Sequence, residues 1–218
     1  MIKNIIFDFD GVLVDSEVLV ARAFCEYLKD LDIDFNEQKM SNYAGKKTVQ
    51  VISELSKKFN IKNQQQFFDD IMKIADNIYS KDLQPIFGVK DFINLNNFNY
   101  FIGSNSIKKR ILKGLKKVEM SHFFNAENIF SFDMVKKPKP EPDVYLEVIK
   151  HHNLKKNETV IIEDSVVGVQ AGVAAGIQVV GFVGGGHWQS SRSPKELLNA
   201  GAYKIIESYK DLLLELAK

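Results

Sequence analysis

The sequence predicts an α/β protein in which a doubly wound parallel sheet carries an inserted all-helical domain. Along most of the chain, short apolar runs rich in β-formers alternate with stretches of helical spacing. That alternation is typical of a parallel sheet covered by helices. The exception lies near the N-terminus, from residue 16 to about residue 82, where helix follows helix without a strand. This stretch predicts an insertion directly after the first strand.

Six apolar segments are the predicted strands: 5–7, 100–102, 129–131, 160–162, 178–183 and 203–206. The first and fourth are unbroken runs of Ile, Val and Phe, as expected for strands buried on both faces. Helices are predicted between the strands, at 88–95, 106–118 and 143–151, then after Ser165, with a closing helix to Leu216. Gly176 is the expected left-handed residue at the end of the helix that follows Ser165.

The insertion also sets the predicted domain boundaries. Residues 1–14 and 86–218 form the α/β core, and residues 15–85 form the helical insert. Pro85 ends the helical pattern, because proline does not continue a helix. Three helical units in the insert are marked by apolar residues at helical spacing, around 19–31, 51–59 and 67–78.

Composition and charge exclude several classes of partner. The 218 residues are 45% hydrophobic and 26% charged, which is ordinary for a globular protein. The net charge of +1 provides no basic footprint for nucleic acid or an anionic membrane. No apolar run approaches the ~20 residues that span a bilayer, and no signal pattern opens the chain. Because the single cysteine, Cys25, cannot form an internal disulfide, we expect a cytoplasmic protein. We also expect either a monomer or a small homo-oligomer, a choice that the sequence leaves open.

Polar side chains follow four of the predicted strands. They are Asp8 with Asp10, Ser104 with Asn105, Lys139, and Glu163 with Asp164. Ligands bind at the carboxyl ends of the strands in sheets of this kind, so we expect these side chains to line one crevice. Gly11 follows the first acidic pair and lets a ligand approach the backbone closely. Acids, a hydroxyl and a cation together predict a site for a metal-bound phosphate.

The chemistry of these residues predicts phosphoryl transfer. Mg²⁺ prefers carboxylate oxygens together with phosphate and water, which suits Asp8 and Asp164. A metal also reduces the repulsion between a carboxylate and a phosphate dianion, so Asp8 is the candidate nucleophile of an aspartyl-phosphate intermediate. Asp10 is the candidate to protonate the leaving oxygen and later to activate water. Ser104 and Lys139 are the candidates to hold phosphoryl oxygens and neutralise charge.

The order of these motifs resembles the haloacid dehalogenase-like superfamily, in its branch of capped phosphatases and β-phosphoglucomutases. The resemblance covers nearly the whole chain and rests on Asp8-Phe-Asp-Gly-Val-Leu-Val-Asp-Ser-Glu, Gly103-Ser-Asn, Lys139-Pro-Glu-Pro-Asp-Val-Tyr and Glu163-Asp-Ser-Val-Val-Gly-Val-Gln-Ala-Gly. It implies the same nucleophile and acid/base as above, with the Asp10 carbonyl as a further Mg²⁺ ligand. It also implies that Asp164 binds the metal directly, whereas Glu163 acts through water or toward Lys139. Gly11 and Asn105, which belong to these motifs, are candidate phosphate-binding residues.

The resemblance further implies that the helical insert is a cap that selects a small phosphorylated metabolite. Lys46 and Lys47 lie in the loop that, by resemblance, points at the leaving group. Two cations there favour a sugar phosphate or a phosphorylated sugar acid, although a solvated lysine pair is an equally good interpretation. His187, in a glycine-rich loop after a strand, is a further candidate for a substrate contact.

Four other functions share parts of the pattern. A dehalogenase has the same fold but no obvious use for Asp10. A phosphosugar mutase resembling β-phosphoglucomutase is expected to have a His near position 20 and an Arg near position 48, where this sequence has Val20 and Thr48. A phosphonate hydrolase requires a Schiff-base lysine in the cap, for which Lys46 and Lys47 stay open. A receiver-like phosphorylated switch needs no cap. We therefore predict a Mg²⁺-dependent phosphomonoesterase.

Overall fold

A computed structural model of the chain describes residues 1–43, 46, 48–188 and 192–217. These residues form two compact units. One unit comprises Met1–Asp15, Gln84–Gly185 and the described residues from Ser193 onward, and the other comprises Ser16–Leu83 with the described residues of Gly186–Arg192. We refer to them as the α/β unit and the helical unit. That the helical unit acts as a cap stays a prediction.

The α/β unit contains a six-stranded sheet with the order β3-β2-β1-β4-β5-β6, in which every neighbouring pair is parallel. The strands are β1 (Asn4–Phe7), β2 (Asn99–Ser104), β3 (Ile129–Ser131), β4 (Thr159–Glu163), β5 (Gln178–Phe182) and β6 (Lys204–Ile206). All six predicted strands are therefore confirmed, together with the doubly wound fold class. Phe7 pairs with Ile102 on one side and Ile162 on the other, so the central strands end at nearly the same level.

The central strands are covered on both faces, as their apolar runs predict. Every residue of β1 and β4 is buried. Ile5, Ile6 and Phe7 have no exposed surface at all. Complete burial of this kind requires helices on both sides of the sheet, because a face open to water would show polar alternation.

The helical unit has four α-helices among its described residues and no strand. They are α1 (Glu17–Asp30), α2 (Glu37–Met40), α3 (Thr48–Phe59) and α4 (Gln64–Asp82). Phe67 of α4 packs against two aromatic rings of α1, edge-on to Phe24 and stacked on Tyr27. In the part of the chain that the structure describes, no helix, including the 19-residue α4, is long and apolar enough to cross a membrane.

The remaining helices belong to the α/β unit: α5 (Val89–Leu95), α6 (Lys108–Lys117), α7 (Asp143–His151), α8 (Val166–Ala174), α9 (Lys195–Asn199) and α10 (Tyr209–Leu216). Helix α8 begins as predicted, because the Ser165 hydroxyl accepts a hydrogen bond from the N–H of Gly168 (3.1 Å). Its end is also as predicted, since Gly176 has a φ of 71°. The five-residue α9 was not predicted.

The two stretches of chain that lead into and out of residues 16–83 of the helical unit run side by side within the α/β unit. The N–H of Asp15 donates to the carbonyl of Gln84 (3.0 Å), and the N–H of Ile86 donates to that of Leu13 (3.0 Å). Val14 and Pro85 form an antiparallel bridge between these bonds. We call this segment, 13–15 with 84–86, the paired crossing.

Candidate active site

The candidate active site begins at the carboxyl end of β1. The backbone N–H of Asp8 donates to the carbonyl of Ile162 (2.9 Å), so the ladder between β1 and β4 extends one residue beyond the first strand. The Asp8 side chain is buried at this position. In the observed strand order, the direction of winding changes between β1 and β4, which is where open α/β sheets bind their ligands.

Lys139 connects two of the predicted acids. Its Nζ lies 2.6 Å from Oδ1 of Asp8 and 2.6 Å from Oε1 of Glu163, and only 2% of its side chain is exposed. Asn105 holds the backbone of this lysine, since its Oδ1 accepts from the Lys139 N–H (2.9 Å) and its Nδ2 donates to the Lys139 carbonyl (3.3 Å). The structure therefore places the side chain of Asn105, a predicted phosphate contact, against the lysine backbone.

Glu163 is fully buried, and its carboxylate accepts four hydrogen bonds. Oε1 accepts from the Lys139 ammonium (2.6 Å) and the Tyr145 hydroxyl (2.8 Å), and Oε2 accepts from the N–H (3.1 Å) and hydroxyl (3.0 Å) of Ser165. A carboxylate has about four lone-pair sites, so these donors occupy its capacity. This geometry favours the interpretation in which Glu163 acts toward Lys139.

Gly168 leaves the space that the Glu163 carboxylate fills. A Cβ atom on Gly168 would overlap the carboxyl carbon and both carboxylate oxygens of Glu163. The φ angle of Gly168 does not lie in the left-handed region, so close packing, and not backbone freedom, requires glycine here. The first turn of α8 can thus lie directly against a buried acid.

Three acids form a cluster that can hold a metal ion. One carboxylate oxygen from each of Asp8, Glu163 and Asp164 lies within 4.8 Å of the others, and all three residues are buried. Lys139 is the ammonium that contacts this cluster, so negative charge is in excess. Buried excess charge is costly, and a divalent cation with a preference for oxygen ligands would offset it. Because other donors occupy Glu163, Asp8 and Asp164 are the candidates for direct ligation.

The charges of the cluster act in opposite directions on the pKa of Asp8 and reinforce the charged form of Lys139. Burial raises the pKa of the Asp8 carboxyl well above its ordinary value, Lys139 opposes that shift, and Glu163 and Asp164 add to it. Burial alone would lower the pKa of Lys139, but Asp8 and Glu163 outweigh burial and raise it. Burial, followed by the charge of Glu163, raises the pKa of Tyr145 well above its ordinary value, so its hydroxyl stays a donor.

Ser104 ends β2 and is buried beside the first strand. Its Oγ accepts a hydrogen bond from the backbone N–H of Ser106 (3.0 Å), which fixes the hydroxyl at the carboxyl end of the sheet. A hydroxyl that accepts in this way still has its own proton to donate. The position suits the predicted contact to a phosphoryl oxygen.

Asp10 lies at the start of a tight turn. Gly11 has a φ of 77°, and its N–H donates to the carbonyl of Val14 (2.8 Å). Both carboxylate oxygens of Asp10 are bound: Oδ2 accepts from the Ser106 hydroxyl (2.5 Å), and Oδ1 accepts from Nη2 of Arg110 (3.2 Å). Neither donor is among the predicted site residues. The sequence could have indicated them, because they open the helix that follows β2, and the start of that helix lies at the same edge of the sheet as the strand ends.

A family model for haloacid dehalogenase-like hydrolase matches residues 5–182. The chain belongs to this family. The match includes residues 16–83 of the helical unit and all four motifs on which the resemblance rests, so the resemblance is confirmed.

Named relatives of this haloacid dehalogenase-like hydrolase are phosphatases, and the prediction of an enzyme is confirmed. The 6-phosphogluconate phosphatase of Escherichia coli (strain K12) is 24% identical over 196 residues, which cover 89% of this chain and 88% of that protein. The phosphorylated carbohydrates phosphatase of Thermotoga maritima is 26% identical over 210 residues, which cover 94% of each chain. A family hydrolase of Deinococcus radiodurans R1, solved with bound phosphate and sodium, has a TM-score of 0.85 at 25% identity, covering 99% of this chain and 95% of that one.

Lys46 of this hydrolase is bound within the helical unit. Its Nζ lies 2.7 Å from both carboxylate oxygens of Glu54 and 5.3 Å from the ring centroid of Tyr43. The pair is well exposed, with 39% of the lysine side chain accessible. A substrate contact through Lys46 would require its ammonium to exchange Glu54 for the substrate. Lys47 lies outside the described residues.

His187 belongs to the segment that groups with the helical unit. Its ring centroid lies 5.7 Å from that of Trp188, and the guanidinium carbon of Arg192 lies 3.7 Å from the Trp188 centroid. This separation is well within the range of a cation–π contact. A contact between His187 and substrate stays a prediction.

Proposed function

We propose that the protein is a Mg²⁺-dependent phosphomonoesterase that acts through an aspartyl-phosphate intermediate on Asp8. One observation carries the proposal: the buried Asp8 carboxylate contacts the Lys139 ammonium and lies within 4.8 Å of the oxygens of Glu163 and Asp164. A nucleophilic acid, a fixed cation and a metal-binding set of oxygens are the groups that transfer of a phosphate dianion requires. The names of the relatives support the same reaction.

Asp8 and Asp164 would hold Mg²⁺, with the backbone carbonyl of Asp10 as a further ligand. The residues fit a divalent cation, because three carboxylates meet here and the Lys139 ammonium contacts two of them, Asp8 and Glu163. When bound, the cation supplies the positive charge that lets a carboxylate approach a phosphate dianion.

In the first step, a carboxylate oxygen of Asp8 forms a bond to phosphorus. The bond between phosphorus and the leaving oxygen breaks, the electron pair stays on that oxygen, and the Asp10 carboxyl gives it a proton. Lys139 stabilises the charge that develops on the transferred group, and Ser104 donates to one of its oxygens. The product alcohol leaves, and Asp8 carries the phosphoryl group.

In the second step, the Asp10 carboxylate takes a proton from a water molecule as the water oxygen bonds to phosphorus. The bond between phosphorus and the Asp8 oxygen breaks, and its electron pair returns to the carboxylate. Inorganic phosphate is released and both acids regain their starting states. Asn105 and Glu163 contribute by holding Lys139 from its backbone and from its ammonium.

The substrate that we propose is a small sugar phosphate or a phosphorylated sugar acid. This inference rests on the names of the two relatives, and on Lys46 and Lys47 as proposed contacts to hydroxyl or carboxylate groups of the leaving alcohol. We propose in addition that the helical unit is the cap that selects this substrate, because substrate choice is commonly carried by elements outside the rigid sheet.

The test is release of inorganic phosphate from sugar phosphates, 6-phosphogluconate and 4-nitrophenyl phosphate in the presence of Mg²⁺. Asp8→Asn is expected to abolish turnover and a chelator to suppress the wild-type enzyme, whereas Asp91→Asn, an exposed acid on α5, serves as the matched control. Turnover that survives either treatment would contradict the mechanism. Transfer of phosphate between sugar positions without its release would instead favour a mutase.

A further inference from the structure

Two residues outside the family motifs hold both oxygens of Asp10. Oδ2 accepts from the Ser106 hydroxyl (2.5 Å) and Oδ1 from the Arg110 guanidinium (3.2 Å). The contacts are partly shielded from water, since 18% of the Asp10 side chain and 30% of the Arg110 side chain are exposed. A hydrogen bond between a guanidinium and a carboxylate is among the stronger ones in proteins, and partial burial strengthens it further.

The segment that carries these donors is itself anchored. The Ser106 N–H donates to the Ser104 hydroxyl (3.0 Å), and the N–H of Lys108 donates to Oδ1 of Asp133 (3.2 Å). Ser106 directly precedes the N-cap residue of α6, Ile107, and Arg110 lies in the first turn of that helix. Both donors therefore come from the anchored segment that opens α6, and they meet a carboxylate in the turn that follows β1.

We propose that Ser106 and Arg110 are positioning residues that hold the Asp10 carboxyl in the orientation for proton transfer. The inference rests on the proposed function, in which Asp10 protonates the leaving oxygen and then accepts a proton from water. Neither residue touches the transferred phosphoryl group in this role. An acid/base group that two anchored donors hold is already oriented for proton transfer. Such pre-orientation of reacting groups is a large part of enzymatic rate enhancement.

The prediction from this role depends on the leaving group. A sugar alcohol needs a proton as it leaves, but 4-nitrophenolate is stable without one. Arg110→Met and Ser106→Ala should therefore lower kcat for a sugar phosphate by about 10–10²-fold with little change in KM, because a misplacement of this kind costs up to about 10²-fold. The first turnover of 4-nitrophenyl phosphate should keep its rate. Its second step should slow, so that a burst of 4-nitrophenolate precedes the steady state.

Matched variants separate positioning from folding and from charge. Arg110→Lys and Ser106→Thr keep a donor and should restore part of kcat, whereas Lys109→Met removes an exposed charge from the same helix and should change nothing. In an Asp10→Asn background, Arg110→Met should cost no further activity. Equal losses of the first-turnover rate on both substrates, or the same loss with and without the Asp10 carboxylate, would overturn the proposal. The wild-type enzyme and Asp8→Asn report on the phosphatase reaction itself, so failure of the proposed function is seen separately.

Discussion

A methyl group at Gly168 would collide with the buried carboxylate of Glu163. The added Cβ would overlap the whole Glu163 carboxyl group, which four donors hold in place. Gly172→Ala is the matched control on the same helix. The atoms nearest to its Cβ would belong to apolar side chains, at 2.5 Å from Cγ2 of Val179 and 3.0 Å from Cδ1 of Ile161.

The structure allows the two costs to be compared. Both substitutions gain about 1 kcal/mol from the better helix propensity of alanine. At Gly168 the carboxylate must leave at least two of its donors, and each hydrogen bond to a charged group contributes about 1.5–3 kcal/mol. The net loss is therefore about 2–5 kcal/mol. At Gly172 the cost of overpacking is about 1–3 kcal/mol, so its net loss is about 0–2 kcal/mol.

Urea unfolding of the two variants measures this difference, and kcat measures its effect on the site. Gly168→Ala should also lower kcat strongly, since displacement of Glu163 releases the Lys139 ammonium, whereas Gly172→Ala should keep most activity. Glu163→Asp combined with Gly168→Ala shortens the acid by one methylene and should recover part of the stability. If Gly168→Ala proved as stable and as active as Gly172→Ala, the proposed role of Glu163 would be wrong.

Three further predictions concern charge, a hydroxyl and the substrate. Because the pKa of Asp8 is raised in the fold, the folded state binds this proton more tightly than the unfolded state. The metal-free protein should therefore lose stability as the pH rises from the ordinary pKa of aspartate toward the raised pKa of Asp8. Thermal melts should show a smaller loss with Mg²⁺ or in Asp8→Asn. A gain of stability over that pH interval would contradict the prediction. Tyr145→Phe removes one donor from Glu163 and should cost about 1.5–3 kcal/mol in urea unfolding along with part of kcat, so a neutral effect on both would contradict the network. If substrate competes with Glu54 for Lys46, then kcat/KM for a sugar phosphate should fall in Lys46→Ala and rise in Glu54→Gln, whereas kcat/KM for 4-nitrophenyl phosphate serves as the control. Unchanged values for the sugar phosphate would show that Lys46 does not contact the substrate.

Most of the sheet could be predicted from the sequence, because its central strands β1 and β4 are buried throughout and leave unbroken apolar runs, and the other strands are short apolar segments between helical stretches. Polar residues follow the C-terminal ends of these apolar runs, which predicts that they lie at one end of the sheet. The structure brings Asp8, Lys139 and Glu163 into contact there. Helix α9 was missed because five residues are too few to show a helical period. A short helix of this kind is held by its surroundings more than by its own pattern.

The contacts of individual side chains could not be predicted from the sequence, for a different reason. The pairing of Arg110 with Asp10 and of Lys46 with Glu54 depends on which rotamers the packed chain permits, and no residue spacing reveals that choice. Similarly, the sequence left Glu163 with two possible roles. The choice between them depends on a count of donors, which requires the positions of Tyr145 and Ser165.

The paired crossing has a consequence for how enzymes of this kind diversify. Since Asp15 and Gln84 are joined by a backbone hydrogen bond, residues 16–83 leave the α/β unit and return to it at a single point. Removal of everything between them would leave two ends that a short turn can join, so the sheet does not need the excursion to complete its own topology. Recombination at that point can therefore exchange one helical segment for another while the proposed catalytic acids keep their places at the ends of the strands.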